Sequence, residues 1–523
     1  MSATPYLPAE PAAGENWLRD DPALRRVLAT RAPPAARKDL EARLDALGAV
    51  APREIDPLAR AADARPPRLE GNEVVLTPEY RELQRLAREH EVFTLAWREG
   101  PAKGSRLATL LLGYLYGQAE CGYYCPACMT DGAAFVLDRQ GGHEEVVRRL
   151  VQRGVEGAYE GAMLLTEPQG GSDVAATATR AEKGAEGGWR LTGHKWFASN
   201  ANAEVILTLA RMPDAPAGTR GLGLFLVLAK GNPGVRRVAL KEKLGVRSMA
   251  TAEVHLEAAP ALLVAGEGEG FKAMAEMVNL SRLYNSVASV AIARRALREA
   301  QKNGLWRRAF GKPLSEQPLY RAMVAGMAND VRGAFLLAMD CAEAFDKQDR
   351  PLLRALTPLA KAGTARMAVE VASLACESLG GNGYVQPWVT ERLLRDAQVL
   401  PIWEGTTNVQ ALDFLRGMAR EGATDALVRG SLRLSQGSAA LDDAWRDLAA
   451  DVARHGPSED RALLWLERCY HLRAASLLWR DASDGDPAAR AHAEAYLARR
   501  VLRDDEAWVR LAREKGALLA GWE

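Results

Sequence analysis

Between Met163 and about Leu263 apolar residues recur at every second position or in short unbroken runs, whereas on either side they recur at spacings of three and four. This contrast constrains the fold most. A period of two puts alternate side chains on opposite faces of a strand, and a period near 3.6 gathers them on one stripe of a helix. The runs "GWRLTGHKWFAS", "AEVILTLARM", "LGLFLVLA", "VRRVALK" and "TAEVHLE" are punctuated by Gly, Pro and Asn. They predict a compact antiparallel β unit of roughly a hundred residues.

Helical patterns enclose it. From "TPEYRELQRLAREHEVFTLAW" to about Gly157 the spacing predicts an N-terminal helical unit, and from "GFKAMAEMVNLSRLYNSVASVAIARRALREAQ" onward long, largely apolar patterns predict a bundle. After about Arg416 an Ala-, Leu- and Arg-rich stretch predicts an appended helical unit. Residues 1–75, rich in Pro, Ala and Arg, carry short helical pieces such as "DDPALRRVLA" and "RKDLEARLDALG", which cannot bury much alone and are expected to wrap a neighbour. The predicted order is a wrapping segment (1–75), a helical domain (76–160), a β domain (161–265), a helical bundle (266–416) and an appended helical domain (417–523). A chain of 523 residues exceeds what one hydrophobic core usually serves, so several units are expected.

With 68 basic and 67 acidic residues no global field draws the protein to nucleic acid or an anionic membrane. "MSATPYLPAEPAAGENW" lacks a basic-then-apolar layout, and no run of apolar residues reaches a membrane-spanning length of about 18, so a soluble, cytoplasmic protein with no membrane partner is expected. The cysteines of "CGYYCPACMT" (Cys121, Cys125, Cys128) have the C-x3-C-x2-C spacing that three thiolates of an iron–sulfur cluster can adopt. They follow the apolar helical pattern "RLATLLLGYLYGQAE" and run into "MTDGAAFVL", a context that favours buried structural cysteines over a cluster. No HExxH pair occurs, so no metal is expected.

No strand-turn-helix opens on G-x-G-x-x-G: "AGEGEGF" and "SLGGNGY" fail the spacing and are expected to be a turn before a helix and a helix stop. Two other segments suggest chemistry. In "LLTEPQGGSDVA", Thr166, Gly170, Gly171 and Ser172 bring hydroxyls and unhindered backbone N–H groups together, which suits a polar ring edge or a pyrophosphate; an ordinary turn is the alternative. In "VLPIWEGTTNVQ", Glu404 lies between Trp403 and Gly405, a setting expected to desolvate the carboxylate partly and raise its pKa toward that of a general base; an acid near a helix start is the alternative.

These two segments, with "GHKWFASNA", "RRAFGKPLSEQPL" and "ESLGGNGYVQPW", resemble in order and separation the acyl-CoA dehydrogenase family of flavoenzymes. "LKEKLGVRS", "EGEG" and the extra C-terminal helices are similar to its AidB-like, adaptive-response branch, and the likeness covers essentially the whole chain. The resemblance implies a helical domain, an antiparallel β domain and a helical bundle, with FAD bound in extended form between the β unit and the bundle, and a homotetramer. It implies that Met163, Leu165, Thr166, Gly171 and Ser172 line the flavin's pyrimidine side and phosphates. Phe197 would lie against the ring, with the Ser199 hydroxyl near N5. Arg307, Phe310 and Gln317, with Glu377 and Gly381, would meet the FAD of another subunit, and Trp403, Gly405, Thr406 and Asn408 would complete the site beside Glu404. Two residues depart from the pattern: Ala309 stands where many relatives carry a hydroxyl, and Gln317 matches only with the glutamine spacing shortened by one.

The reaction so implied is α,β-dehydrogenation of an acyl thioester, short or branched, with Glu404 as base and flavin N5 as hydride acceptor. Arg282 resembles an arginine close to the catalytic carboxylate. The alternative base position of some relatives is held here by Ser281, just before Arg282. Acyl chain length, carrier and electron-accepting partner are not encoded in any motif.

The AidB branch also implies an alternative role as a DNA-binding, alkylation-response flavoprotein with little dehydrogenase turnover. Arg416 matches a family arginine implicated in DNA contact, and Arg499, Arg500, Arg503 and Arg510 offer a local basic patch. From Gly417 onward, however, about 16 basic residues face about 18 acidic ones, so the segment lacks the cationic excess that phosphate binding exploits. A flavin-retaining interaction protein with a vestigial site is the third reading.

Overall fold

The computed structural model describes residues 14–184 and 187–522. The first 13 residues of the expected wrapping segment, residues 185 and 186 of the expected β unit, and residue 523 lie outside the described residues. Two compact units emerge, one of Glu15–Asp20 and Pro33–Tyr284, the other built mainly from Asp21–Ala32 and Asn285–Glu523. The division falls within one helix, Gly270–Trp306.

The first unit holds a seven-stranded sheet made of Gly161–Leu164, Arg180–Lys183, Trp189–Ser199, Val205–Arg211, Leu222–Leu228, Val235–Leu240 and Thr251–Ala265. Starting at Val205–Arg211, antiparallel pairings run through Leu222–Leu228, Thr251–Ala265, Trp189–Ser199 and Arg180–Lys183. One parallel pair, Arg180 with Arg211, then closes the ring. Gly161–Leu164 also runs parallel to Val205–Arg211, with Met163 opposite Leu207. The sheet is thus mostly antiparallel with two parallel pairings, since alternation reports which faces are buried and not the direction of the partner strand.

The unbroken run "VILTLA" follows from burial on both faces. Val205, Leu207 and Leu209 pack with Met129, Val136, Leu137, Met274 and Met277 of the surrounding helices. Ile206 and Ala210 face a second core with Leu191, Phe225, Val227 and Val254. Each such buried Val, Leu, Ile, Phe or Met side chain contributes about 1.5–3 kcal/mol. Thr208, the one polar residue in the run, donates its hydroxyl to the Leu164 carbonyl at 2.7 Å.

The helices Pro78–Glu89 and Tyr124–Gln140 are joined to the sheet's first strand through buried Glu160. Its carboxylate accepts from Arg88 at 2.7 Å and from Tyr123 and Thr130 at 3.1 Å. Gly161 sits so close to this helical layer that a Cβ would lie 2.9 Å from the Met129 carbonyl oxygen. The sequence reading did not pick out the hairpin Arg68–Glu70 with Glu73–Val75, which turns through Gly71 at φ +60° at the end of the expected wrapping segment.

Long helices make up the second unit, among them Pro318–Asp346, Arg350–Leu379, Thr407–Arg420 and Glu459–Asp481. Thr407–Arg420 is continuous through residue 416, so the expected start of an appended domain falls inside a helix. Buried pairs join the later helices to the earlier ones: Arg473 with Asp340 at 2.7 Å and Arg332 with Asp481 at 2.9 Å. Gly363 admits the ring of Tyr470 where a Cβ would overlap it. The helix Pro22–Arg31 docks here, with Asp21 accepting from Arg294 at 3.0 Å and Arg26 pairing with Asp481 at 2.8 Å. Residues 33–75 belong to the other unit, so the expected wrapping segment divides between the two. Among the described residues no helix is long and apolar enough to cross a membrane.

Candidate functional site

Thr166 to Ser172 leaves strand Gly161–Leu164 as a loop whose shape depends on one buried ion pair. Glu167 is buried and accepts from Lys195 Nζ at 2.7 Å, from the Thr179 hydroxyl at 2.5 Å and from the Ala178 amide at 2.7 Å. Burial pushes the Glu167 carboxyl up, but Lys195 and these hydrogen bonds outweigh it and hold it at about 2. Lys195 belongs to "GHKWF", so the pair joins two of the motifs that sequence reasoning singled out. The Trp196 amide donates to the Thr166 carbonyl at 2.9 Å and completes the junction. At Gly171 a Cβ would lie 2.5 Å from Thr166 Oγ1, so only glycine leaves that hydroxyl in place.

Around this junction Met163, Leu165 and Thr166 are half-buried, whereas Gly171 and Ser172 are exposed. Phe197 is 55% exposed on Trp189–Ser199, with half-buried Ser199 two residues further along. An exposed aromatic ring with hydroxyls and open backbone nearby suits a flat, conjugated, polar ligand, which is the chemistry of a flavin. Beside Phe197, the Lys241 ammonium lies 3.2 Å from the Trp196 ring centroid and pairs with Glu253.

Arg282 is buried rather than at the helix surface, and it donates to Asn279 Oδ1 at 3.2 Å, one turn earlier on Gly270–Trp306. Ser281 is buried and accepts from the Cys128 thiol at 3.3 Å. Cys125 and Cys128 lie three apart on Tyr124–Gln140, and Cys121 is buried in the turn before it. Among the described residues no group of three or more His, Cys, Asp or Glu is placed to hold a metal.

In the second unit Glu404 sits in a tight turn between Thr390–Ala397 and Thr407–Arg420. It is half-buried with φ +51°, and Gly405 follows at φ +97°. The left-handed conformation costs a non-glycine residue roughly 1–2 kcal/mol, so its surroundings must hold it. Three buried side chains do so. Lys361 Nζ donates to the Gly405 carbonyl at 2.7 Å. Gln410 Nε2 donates to the Glu404 carbonyl at 2.9 Å and to that of Gly405 at 3.1 Å. Asn285 Nδ2 donates to the Leu400 carbonyl at 3.0 Å and lies 3.5 Å from Glu404 Oε2. Trp403 Nε1 is buried without an acceptor, Thr406 is exposed at the start of Thr407–Arg420, and Asn408 is exposed on its first turn.

The remaining candidates cluster at another edge of this unit. Arg307 precedes the short hairpin Arg308–Ala309 with Lys312–Pro313, Phe310 stands in its turn, and Gln317 closes it by donating to the Ala309 carbonyl at 2.9 Å. Phe310 is 96% exposed at φ +51°. Glu377 and Gly381 are exposed at the end of Arg350–Leu379, which Gly380 stops at φ +62°. Asn303 ties the two segments by donating to the Ser378 carbonyl at 2.9 Å. Leu319 and Tyr384 stand out beside them, 88% and 86% exposed.

Of the arginines considered for DNA, Arg416 is exposed, while Arg499 and Arg500 both pair with buried Asp330, at 2.7 and 2.6 Å. Sequence reasoning missed Asn285, Lys361, Gln410 and the Glu167–Lys195 pair. The one available signal was a single lysine inside the apolar pattern "RALTPLAKAGTARM".

One unit built on a mostly antiparallel sheet, with a loop-and-aromatic face suited to a flavin, and one of long helices, with a half-buried carboxylate in a strained turn, are features of the acyl-CoA dehydrogenase class of flavoproteins. Comparison with known proteins places the chain. The family models for the acyl-CoA dehydrogenase C-terminal domain, the acyl-CoA dehydrogenase middle domain and the adaptive response protein AidB N-terminal domain match residues 268–419, 162–259 and 8–160. The chain belongs to the acyl-CoA dehydrogenase family, whose members are FAD-dependent oxidoreductases acting on CH–CH bonds.

It is similar to acyl-CoA dehydrogenase family member 11 of Caenorhabditis elegans, 35% identical over 77% of this chain and 70% of that protein. It is similar also to the putative acyl-CoA dehydrogenase AidB of Escherichia coli, 32% identical over 77% of this chain and 78% of that one. The crystal structure of C. elegans ACDH-11 in complex with C11-CoA superposes with a TM-score of 0.88 at 29% identity, covering 98% of this chain and 97% of that chain. That coverage extends the shared fold to the C-terminal helices.

Proposed function

We propose that this protein catalyses α,β-dehydrogenation of an acyl-CoA or a similar thioester, with Glu404 removing the proton next to the thioester carbonyl. The observation that carries the reading is the half-buried carboxylate of Glu404, held at φ +51° within the span matched by the family's C-terminal domain. Bound FAD supplies the acceptor, at N5, for the hydride that leaves the adjacent carbon. The chain's own part is binding, orientation and proton removal. Thr166, Gly171 and Ser172 offer hydroxyls and backbone N–H groups to the ring edge and phosphates, Met163 and Leu165 an apolar rest, Phe197 a stacking face, and Ser199 a donor. Trp403 Nε1 is a buried donor without an acceptor in the chain, as a site awaiting a polar partner requires. Arg282 would tune the charge of the base.

Homotetrameric assembly and a cytoplasmic location belong to the same reading. The apolar edge of Phe310, Leu319 and Tyr384 supports the first, since exposed apolar surface of this kind marks an interaction site that another copy would cover. There Arg307, Gln317, Glu377 and Gly381 would reach a neighbouring subunit's FAD. Duplex DNA as a partner has exposed Arg416 in its favour, and against it the engagement of Arg499 and Arg500 by Asp330.

The test is anaerobic mixing of the purified flavoprotein with straight-chain and branched acyl-CoA thioesters, an eleven-carbon one among them because ACDH-11 is known in complex with C11-CoA. Bleaching of the flavin by one chain class, lost in Glu404→Gln with FAD retained, is the expected result. A wild-type protein inert to every thioester would overturn the reading and favour a DNA-associated or vestigial role.

A further inference from the structure

A carboxylate that must meet one C–H bond needs a fixed backbone beneath it, and the turn carrying Glu404 has no regular secondary structure to supply one. Residues 404 and 405 both adopt left-handed conformations, at φ +51° and +97°. Their carbonyls turn away from helical partners toward two fully buried side chains, Lys361 and Gln410. Gly405 is confined as well: a Cβ there would lie 2.9 Å from Gln410 Nε2. The orientation of the Gln410 amide follows from its neighbours, because both groups it meets are acceptors and only Nε2 can donate. A lysine ammonium with no exposure needs acceptors to offset its lost hydration, and the Gly405 carbonyl at 2.7 Å is one of them.

Asn285 secures the turn from the other side. Its Nδ2 holds the Leu400 carbonyl at 3.0 Å and lies 3.5 Å from Glu404 Oε2. Main-chain carbonyls at 400, 404 and 405 are therefore each held by a buried side-chain donor from a helix outside the turn or, for Gln410, from the helix that follows it.

We propose that Lys361 and Gln410 are positioning residues for the catalytic carboxylate: their grip on the carbonyls of Glu404 and Gly405 holds the turn in its left-handed form and aims the Glu404 side chain. The proposal rests on Glu404 being the base. It assigns Lys361 no contact with substrate or flavin. A misplacement of the base by about 1 Å is enough to slow proton removal by about 100-fold, so loosening the turn is felt in the chemical step before it is felt in binding.

The experiment compares anaerobic flavin reduction by saturating acyl-CoA in wild type, Lys361→Met, Glu404→Gln and the double variant, all with FAD bound, alongside amide hydrogen exchange of residues 398–408. Lys361→Met is expected to slow reduction by about 10- to 100-fold with acyl-CoA affinity unchanged. It is expected to add no loss in the Glu404→Gln background, because positioning acts only through the base. Exchange is expected to quicken within 398–408 and nowhere else. Should Lys361→Met fold poorly, Gln410→Leu removes the bridge between the two carbonyls without burying or removing a charge, and the same pattern is expected. Wild-type reduction by Lys361→Met beside an inactive Glu404→Gln would overturn the clamp alone, as would an undiminished further loss in the double variant. Normal reduction by Glu404→Gln would instead remove the base assignment on which the clamp depends.

Discussion

Lys195 and Glu167 form an ion pair at 2.7 Å with almost no solvent exposure, and it ties the strand Trp189–Ser199 to the loop that follows Gly161–Leu164. Breaking such a pair leaves one charge buried alone, which costs about 3–5 kcal/mol, whereas replacing both partners leaves none. Lys195→Met is expected to lower the unfolding midpoint strongly and to weaken FAD retention, and Lys195→Met with Glu167→Leu to recover part of the stability. Thermal unfolding followed by flavin fluorescence checks both. Equal losses in the single and double variants would show that the pair does not hold the loop.

Gly171 lies on the same loop, where a side chain would meet the Thr166 hydroxyl. Gly171→Ala is expected to displace that hydroxyl and weaken FAD binding by about tenfold, equivalent to about 1.4 kcal/mol, with little change in the stability of the apoprotein. Fluorescence titration of apoprotein with FAD measures it. Unchanged affinity would remove Thr166 from the flavin contacts.

The exposed ring of Phe310 offers a test of assembly. If the edge it shares with Leu319 and Tyr384 is covered by another copy, Phe310→Asp is expected to shift the protein toward smaller species and to lower FAD content, because Arg307 and Gln317 lie on the same segment. Analytical ultracentrifugation at several protein concentrations gives the answer. A tetramer that survives this substitution unchanged would place its interface elsewhere.

Acid sensitivity is expected in the C-terminal helices. Burial, then the field of Arg500, pushes the His471 imidazole down to about 4 from an ordinary value of 6.5, and burial pushes His492 well below it too. Both are neutral when folded, while the unfolded chain takes up protons as the pH falls below 6.5. Stability is therefore lost on acidification through this window, by roughly 3 kcal/mol for His471 once its folded value is passed. Unfolding midpoints measured between neutral pH and about 4 are expected to fall, and to fall less in His471→Gln. A flat profile in the wild type would show that neither imidazole resists protonation.

Much of this molecule is legible in the order of its residues. The change of period at Met163 and its return near Leu263 mark the sheet, and the five strand runs fall where alternation places them, because burial of one or both faces is written directly into a strand's residue pattern. "SLGGNGY" reads as a helix stop, and Gly380 at φ +62° ends Arg350–Leu379. Glu404 stands out as a lone acid in an apolar setting.

Tertiary structure alone decided the rest. The parallel pairings of Val205–Arg211 depend on which distant strands arrive beside it, and the pattern of one strand carries no such information. Lys195 and Glu167 are 28 residues apart, and Lys361 and Gly405 are 44 apart; each pair meets only once the chain has packed. A buried charge looks in sequence like a solvated one, since what makes it costly, and therefore structurally informative, is the removal of water, which happens only on folding.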